Sequence, residues 1–302
     1  MKVAICDPID KKAIEELKAL NVEIYDFSDL PKEELPEKLE DKEIIIVRSA
    51  TKVKGELLDA LKNAKLIIRG GVGLDNIDLE GAKAKGIKVV NTPEASSISV
   101  AELAIGFMFA LSRHIVRGTV GLREGKWEKK QLKGTELFGK TLGIIGMGRI
   151  GREVAKRAKC LGMNVIATRH VRQIPEELAK TVSYDELYKE ADFISIHIPL
   201  TEETRHMISK EAFEKMKDGV VIINCSRGGV VDEKALLEAL KNGKVKGAAL
   251  DVFEVEPPVD NELLKLDNVI GTPHIGASTK EAQARIGVAI VEKIKGFLEG
   301  NI

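Results

Sequence analysis

Three side chains suited to acid–base or anion-binding chemistry lie shortly after predicted strands in the second half of the chain: Arg227, Glu256 and His274. A guanidinium can make charge-assisted hydrogen bonds to the carboxylate and carbonyl oxygens of a 2-keto acid. A carboxylate beside an imidazole fixes its tautomer and favours the protonated ring, which could then protonate an alkoxide. Because open α/β sheets bind ligands where their strands end, we expect the three to face one site. The alternative is that they are three ordinary loop residues.

A glycine-rich turn indicates a dinucleotide site. Gly146-Met147-Gly148-Arg149-Ile150-Gly151 follows the apolar run Leu142–Ile145 and opens a helical pattern. In such a fold the first glycine permits the tight turn, the second admits pyrophosphate, and the third lets helix and strand pack closely. The helix N-terminus supplies amide donors and positive potential. The alternative is a strand–helix turn that binds nothing.

The position that reads the adenosine ribose lies about 20 residues further on, at the end of a predicted strand. An acidic residue there would bind the ribose of NAD, but the chain has Thr168-Arg169-His170-Val171-Arg172. The cationic side chains could pair with a 2′-phosphate, which favours NADP(H) or use of both cofactors. The alternative is a solvated basic loop around a site that takes NAD through other contacts.

These residues require an α/β scaffold. Short β-rich runs alternate with amphipathic stretches from 2 to 91 and again from 141 to 272, which is typical of βαβ units and parallel sheets. Between them, Ile98–Arg117 predicts one long, largely buried helix. The last predicted helix, Lys280–Glu299, lies beyond the second series and is expected to fold back onto the first. We therefore predict two doubly wound domains, a discontinuous one (1–94 and 277–302) and an inserted dinucleotide-binding one (95–276).

Length and composition agree with this organisation. A chain of 302 residues exceeds the usual size of one hydrophobic core. Lysine plus arginine (47) balances aspartate plus glutamate (47), so no overall field favours nucleic acid or an anionic membrane. The three cysteines, Cys6, Cys160 and Cys225, have no ligand-like spacing, and from the apolar run that begins at Val3 we expect no signal peptide. We expect a cytoplasmic protein without a metal site or disulfides.

Several motifs, in order, resemble the D-isomer-specific 2-hydroxyacid dehydrogenases, most closely the branch that acts on 3-phosphoglycerate. The likeness covers essentially the whole chain. Its most specific segments are Gly71-Val72-Gly73-Leu74-Asp75-Asn76-Ile77-Asp78, Asn91-Thr92-Pro93, the 146–151 turn, Asn224-Cys225-Ser226-Arg227-Gly228, Leu250-Asp251-Val252-Phe253, Glu256-Pro257 and Thr272-Pro273-His274-Ile275-Gly276.

The resemblance implies a Rossmann cofactor domain inserted in a flavodoxin-like substrate domain, and a homodimer formed through the cofactor domain with the Ile98–Arg117 segment at the interface. It implies that His274 is the acid/base, Glu256 its partner and Arg227 the substrate clamp. It also implies that the Val72 and Gly73 amides hold the substrate carboxylate, with Asp251 on the nicotinamide carboxamide. The candidate cofactor-binding residues are Gly146, Gly148, Arg149, Ile150, Gly151, Thr168, Arg169, His170, Cys225 and Asp251.

The substrate is a narrower question. Val47-Arg48-Ser49-Ala50-Thr51 resembles the segment whose arginine meets a phosphate, so Arg48, with Arg69 behind it, is the candidate phosphate contact; the alternative is a salt-bridged strand terminus. We expect oxidation of 3-phosphoglycerate to 3-phosphohydroxypyruvate, in serine biosynthesis, or the reverse. The alternatives are an NAD(P)H-dependent glyoxylate/hydroxypyruvate reductase and a non-catalytic dinucleotide sensor. Because the chain ends at Ile302, we expect no C-terminal regulatory module and no serine feedback through one.

Overall fold

The computed structural model describes residues 1–168 and 174–302. Up to residue 96, five short strands alternate with four helices and form one parallel sheet of order β2-β1-β3-β4-β5. The strands are β1 (Lys2–Ile5), β2 (Glu23–Asp26), β3 (Ile44–Val47), β4 (Leu66–Arg69) and β5 (Lys88–Asn91). The helices are α1 (Lys11–Lys18), α2 (Leu35–Leu39, after a 3-10 turn at Lys32–Glu34), α3 (Glu56–Ala60) and α4 (Leu79–Ala84). This is the flavodoxin-like strand order, and its switch point lies between β1 and β3.

Residues 97–276 form a second parallel sheet, of order β12-β11-β10-β9-β6-β7-β8. Its strands are β6 (Thr141–Ile145), β7 (Asn164–Thr168), β8 (Lys180–Val182), β9 (Phe193–Ile196), β10 (Val220–Asn224), β11 (Val245–Leu250) and β12 (Val269–Gly271). The helices are α5 (Ser97–Ser112), α6 (Ile115–Arg123), α7 (Arg149–Cys160), α8 (Tyr184–Glu190), α9 (Lys210–Lys215) and α10 (Glu233–Lys241), with a 3-10 turn at Glu262–Lys265. The order is that of a Rossmann sheet with a seventh strand, and its switch point lies between β6 and β9.

The last helix, α11 (Lys280–Leu298), packs on the first sheet. Its buried Ile286, Ile290 and Ile294 share a core with β1 and α1. Gly287 permits close helix packing, since a Cβ there would lie 2.8 Å from the Cβ of Ala13. The chain thus divides into two compact units, 1–96 with 277–302 and 97–276. The predicted fold class, two parallel-sheet α/β domains, is confirmed.

The buried strands are predicted well because they are continuous apolar runs covered on both faces; all four residues of Ile44–Val47 are buried. The prediction of a single helix over Ile98–Arg117 is wrong. The chain bends by 61° between α5 and α6. His114, at the break, has a φ of 52°, which a right-handed helix cannot continue through. Within the described residues no single helix is long and apolar enough to span a bilayer, and the bent α5–α6 pair passes on length and composition alone.

Candidate active site

His274 and Glu256 form a hydrogen-bonded pair beyond the carboxyl ends of β11 and β12. The distance from His274 Nδ1 to Glu256 Oε2 is 2.9 Å, and both side chains are about two-fifths exposed (41% and 39%). An ionised carboxylate only accepts hydrogen bonds, so Nδ1 carries the hydrogen and Nε2 is left for a reactant. Burial opposes the ionisation of Glu256, but the His274 contact and the nearby Arg227 charge outweigh it, so the pKa of Glu256 lies below its usual value.

The buried Asn224 shapes the turn that carries Arg227. Its Nδ2 donates to the Arg227 carbonyl at 3.0 Å, and its Oδ1 accepts from the amide and hydroxyl of Ser226 at 3.0 and 2.7 Å. Arg227 Nη1 in turn donates to the Ser226 carbonyl at 2.6 Å. These bonds join the end of β10 to the backbone on which the guanidinium is mounted.

The Arg227 turn lies directly against the loop that leads to Glu256. A Cβ on Gly228 would lie only 1.7 Å from the carbonyl oxygen of Phe253, so glycine is required for this approach. Glu256 Oε1 accepts from the amide of Phe253 at 3.2 Å. The structure thus brings together the three residues predicted from the sequence, with the Arg227 charge acting on Glu256 and Glu256 bonded to His274.

Asp251 connects the end of β11 to the loop that carries His274. Its buried carboxylate accepts from Thr272 Oγ1 and the Ile275 amide through Oδ1, at 2.6 and 2.7 Å, and from the Gly276 amide through Oδ2, at 2.8 Å. These donors lie on both sides of His274 in the sequence. Asp251 therefore organises the loop, a role that the sequence reasoning did not assign to it.

The 146–151 turn has the geometry of a dinucleotide cradle. Gly146 has a φ of 100°, and a Cβ there would lie 2.5 Å from the carbonyl of His197. A Cβ on Gly151 would lie 2.2 Å from the Gly146 carbonyl, whereas one on Gly148 would meet no atom within 4 Å. Gly148 caps the twelve-residue helix α7, so open space lies beside a helix N-terminus. Two glycines are thus needed by the fold, and the third leaves room for a ligand.

The other candidate cofactor residues lie around this sheet edge. Arg149 and Ile150 open α7, and Ile150 packs against the core. Thr168 ends β7, and its buried hydroxyl has no partner among residues 1–168 and 174–302. Cys225 is buried, and its burial raises the pKa of the thiol. Arg169 and His170 lie outside the described residues.

His197 lies beside the dinucleotide turn, since a Cβ on Gly146 would approach its carbonyl oxygen. Its Nε2 is 2.8 Å from Ser195 Oγ, and its Nδ1 is buried without a partner in the described parts of the chain. Burial lowers the pKa of His197 to about 4, so the ring is neutral at physiological pH. Because its ring is neutral, His197 places no charge beside the 146–151 turn.

Arg48 follows β3 on the first unit, at the switch point of that sheet. Its amide donates to the buried Asp7 at 2.6 Å, and its Nη1 donates to the Pro8 carbonyl at 3.3 Å. Burial lowers the pKa of Arg48, its Nε is buried and unpaired, and no carboxylate in the described structure forms a salt bridge with the side chain. The described residues therefore give no support to the salt-bridged strand terminus that the sequence left as an alternative.

Arg69 and the turn after it complete the first unit's candidate residues. Arg69 Nη1 lies 3.4 Å from the Gly70 carbonyl, and its guanidinium occupies the space where a Gly71 Cβ would stand. The Val72 carbonyl accepts from Asn91 Nδ2 at 2.5 Å. The amides of Val72 and Gly73 donate no hydrogen bond to any described residue. Two adjacent free amides are the arrangement that an anion requires.

Among the described residues no group of three His, Cys, Asp or Glu side chains could hold a metal ion. The contributions that sequence reasoning missed are the supporting bonds of Asn224 and Thr272. Both residues stand inside the motifs quoted above, but only the structure shows what their side chains contact.

Comparison with known proteins gives consistent results. A family model described as D-isomer specific 2-hydroxyacid dehydrogenase, NAD binding domain, matches residues 105–276. The chain is 55% identical over 298 residues to a hydroxypyruvate reductase of Thermotoga maritima, covering 97% of each. It is 51% identical over 308 residues to a D-3-phosphoglycerate dehydrogenase of Methanocaldococcus jannaschii, covering 100% of this chain and 58% of that one. The structure of an Aquifex aeolicus D-lactate dehydrogenase, solved with NAD and lactic acid, matches with a TM-score of 0.86 and 36% identity, covering 100% of this chain and 96% of that one.

Proposed function

The chain belongs to the D-isomer specific 2-hydroxyacid dehydrogenases, and on that basis we propose that it interconverts 3-phosphoglycerate and 3-phosphohydroxypyruvate. The observation that carries the proposal is the hydrogen-bonded His274–Glu256 pair, at 2.9 Å, beside the Arg227 turn. This pair supplies the proton chemistry, and the guanidinium supplies the anion contact, that a 2-hydroxy acid requires.

Each residue of the trio has a separate task. Arg227 binds the carboxylate and carbonyl oxygens of the keto acid and stabilises negative charge as it develops on the C2 oxygen. His274 delivers a proton to that oxygen from Nε2 in the reductive direction and removes it in the oxidative direction. Glu256 holds the ring by Nδ1 and so directs Nε2 toward the reacting oxygen. The pair resets when the histidine regains or loses its proton to solvent, to which its side chain is 41% exposed.

A nicotinamide dinucleotide fits the 146–151 turn, because the space at Gly148 beside the start of α7 can take a pyrophosphate. When bound, this cofactor supplies or accepts the hydride at C2. The residues that would hold it are the turn glycines and the amides of the first α7 residues. With no carboxylate at Thr168-Arg169-His170, we propose that NADP(H) is accepted, alone or together with NAD(H). Arg169→Asp is expected to shift the ratio of kcat/KM values toward NAD; an unchanged ratio would mean that this loop does not read the 2′ position.

The first unit carries groups that suit an acidic substrate. The half-buried Arg48 guanidinium has no carboxylate partner among the described residues, which supports a phosphate contact. Arg69 lies on the neighbouring strand, where it pairs with Val47. The amides of Val72 and Gly73, which donate to no described residue, support binding of a carboxylate. Hydroxypyruvate reduction is the second candidate function, favoured by the 55% identity to the Thermotoga maritima protein.

Steady-state kinetics with both cofactors test the substrate proposal. Phosphohydroxypyruvate is expected to be turned over with a higher kcat/KM than hydroxypyruvate, and Arg48→Gln to raise KM for the phosphorylated substrate alone. Equal use of the two keto acids would exclude the phosphate contact and leave the reductase. Absence of turnover with any 2-keto acid, while cofactor still binds, would support the non-catalytic sensor.

We also propose a homodimer formed through residues 97–276. Exposed apolar side chains are concentrated on one segment: Phe109, Ile115, Val116, Val120, Leu122, Trp127 and Phe138. Such a patch on a globular protein marks an interaction surface. Leu122→Asp, at a position 61% exposed, is expected to halve the sedimenting mass without unfolding; a monomeric wild-type protein would exclude the dimer. The three free cysteines accord with the proposed cytoplasmic location.

A further inference from the structure

The geometry points to Asp251 and Thr272 as a pair of positioning residues that hold His274 in its reactive place. This inference rests on the proposed function, in which His274 moves the proton. It differs from the nicotinamide contact that the family resemblance implies for Asp251, and it gives Thr272 a role that the sequence does not suggest.

Three hydrogen bonds tie the loop around His274 to the carboxylate of Asp251. Thr272 Oγ1 and the amides of Ile275 and Gly276 all donate to the Asp251 carboxylate, at 2.6, 2.7 and 2.8 Å. The carboxylate is 1% exposed, so its bonds form away from competing water. The donors lie two residues before His274 and one and two residues after it, so both flanks of the histidine are tied to one buried side chain.

These bonds hold the backbone of His274 in an uncommon conformation. His274 has a φ of 52°, a left-handed conformation that residues with a Cβ rarely adopt. Two backbone bonds also hold this segment, from the His274 amide to the Thr272 carbonyl at 2.9 Å and from the Thr272 amide to the Leu250 carbonyl at 3.0 Å. A Cβ on Gly276 would lie 3.0 Å from Asp251 Oδ2, so the loop passes closer to the carboxylate than a residue with a Cβ usually does. Such a conformation persists only where the surroundings impose it.

The loop also determines how the His274 ring is oriented toward Glu256. His274 and Glu256 are each about two-fifths exposed, so packing fixes their 2.9 Å bond only in part. The orientation of the imidazole is therefore determined by the backbone of the loop that Asp251 holds. Weakening the Asp251 bonds lets the loop relax toward an ordinary φ and turns the ring away from Glu256.

Thr272 separates this role from a cofactor contact. Its hydroxyl donates to Asp251, and replacing it with an isosteric valine removes one bond without altering the carboxylate. Thr272→Ser keeps the hydroxyl and serves as the matched control. Asp251→Asn places an NH2 donor against either the Gly276 amide or the Thr272 and Ile275 donors, so it disturbs the loop more.

The experiment measures kcat, the dissociation constant for NADH or NADPH by fluorescence, and the ¹H–¹⁵N signal of the His274 Nδ1–H, assigned with a His274→Gln variant. Thr272→Val is expected to lower kcat about tenfold, to leave cofactor affinity unchanged and to weaken or shift the Nδ1–H signal. Thr272→Ser is expected to restore both kcat and the signal, and Asp251→Asn to show the larger loss.

Wild-type kcat and an unchanged Nδ1–H signal in Thr272→Val would overturn the inference, as would weakened cofactor binding as its only defect. The spectroscopic arm does not depend on turnover. A wild-type protein that reduces no 2-keto acid would refute the proposed function, while a displaced Nδ1–H signal in Thr272→Val would still show that Asp251 and Thr272 position His274.

Discussion

At Gly228 the turn that carries Arg227 closely approaches the loop that leads to Glu256, and Gly228→Ala tests whether that approach matters. The added Cβ would lie 1.7 Å from the Phe253 carbonyl oxygen and 2.8 Å from the Glu254 amide nitrogen. Atoms do not remain in contact below about 3 Å, so the Arg227 turn and the Glu256 loop must separate by more than about 1 Å. A misplacement of that size costs on the order of 100-fold in rate. We expect kcat to fall by about that factor.

The assay is the absorbance change of the nicotinamide band, with thermal unfolding measured in parallel to show that the variant folds. Gly229→Ala is the matched control. Gly229 has a φ of 79°, but a Cβ there would have no neighbour closer than 3.5 Å. It is expected to lose about 1–2 kcal/mol of unfolding free energy and to keep kcat near the wild-type value. A folded Gly228→Ala enzyme with wild-type kcat would refute the reasoning.

Three further predictions concern the cofactor turn, the pH dependence and the thiols. Gly148→Ala is expected to weaken cofactor binding with an unchanged Tm, whereas Gly151→Ala, whose Cβ would lie 2.2 Å from the Gly146 carbonyl, is expected to lower Tm; the reverse pattern would contradict the cradle. The folded-state pKa of Glu256 lies below its ordinary value of 4.5. Its carboxylate therefore stays ionised and bonded to His274 at higher pH, and it is protonated only as the pH falls through that lower folded-state value. The wild-type kcat/KM should therefore show an acid loss below about pH 4.5 that Glu256→Gln, slow throughout, lacks. Only Cys160 is exposed, and burial raises the pKa of Cys6 to about 12 and also raises that of Cys225, so one thiol should react rapidly in the native protein and three after unfolding; rapid reaction of all three would disprove the burial.

The sequence predicts well those parts of the fold that a local pattern of residue types specifies. The strands Leu66–Arg69 and Val220–Asn224 can be recognised from the sequence, because a strand buried in a parallel sheet consists largely of an apolar run. Lys180–Val182 cannot be recognised in this way, because a three-residue edge strand with one buried side chain has no such run. The break at His114 was missed because it depends on one positive φ angle, which a histidine in the sequence does not predict.

The candidate site divides in the same way. Residue type and position after a strand were enough to select Arg227, Glu256 and His274, because each chemistry admits few side chains. Their supports were not selected. Asn224 and Thr272 act through single hydrogen bonds to partners that the fold brings near, and no sequence spacing encodes those contacts.

The central claim is that His274 moves the proton at C2 while other residues bind the cofactor, and its most direct test is one comparison on His274→Ala. We expect kcat with the preferred 2-keto acid to fall by at least about 100-fold, with the dissociation constant for the reduced cofactor unchanged. Normal turnover accompanied by lost cofactor affinity would contradict the assignment.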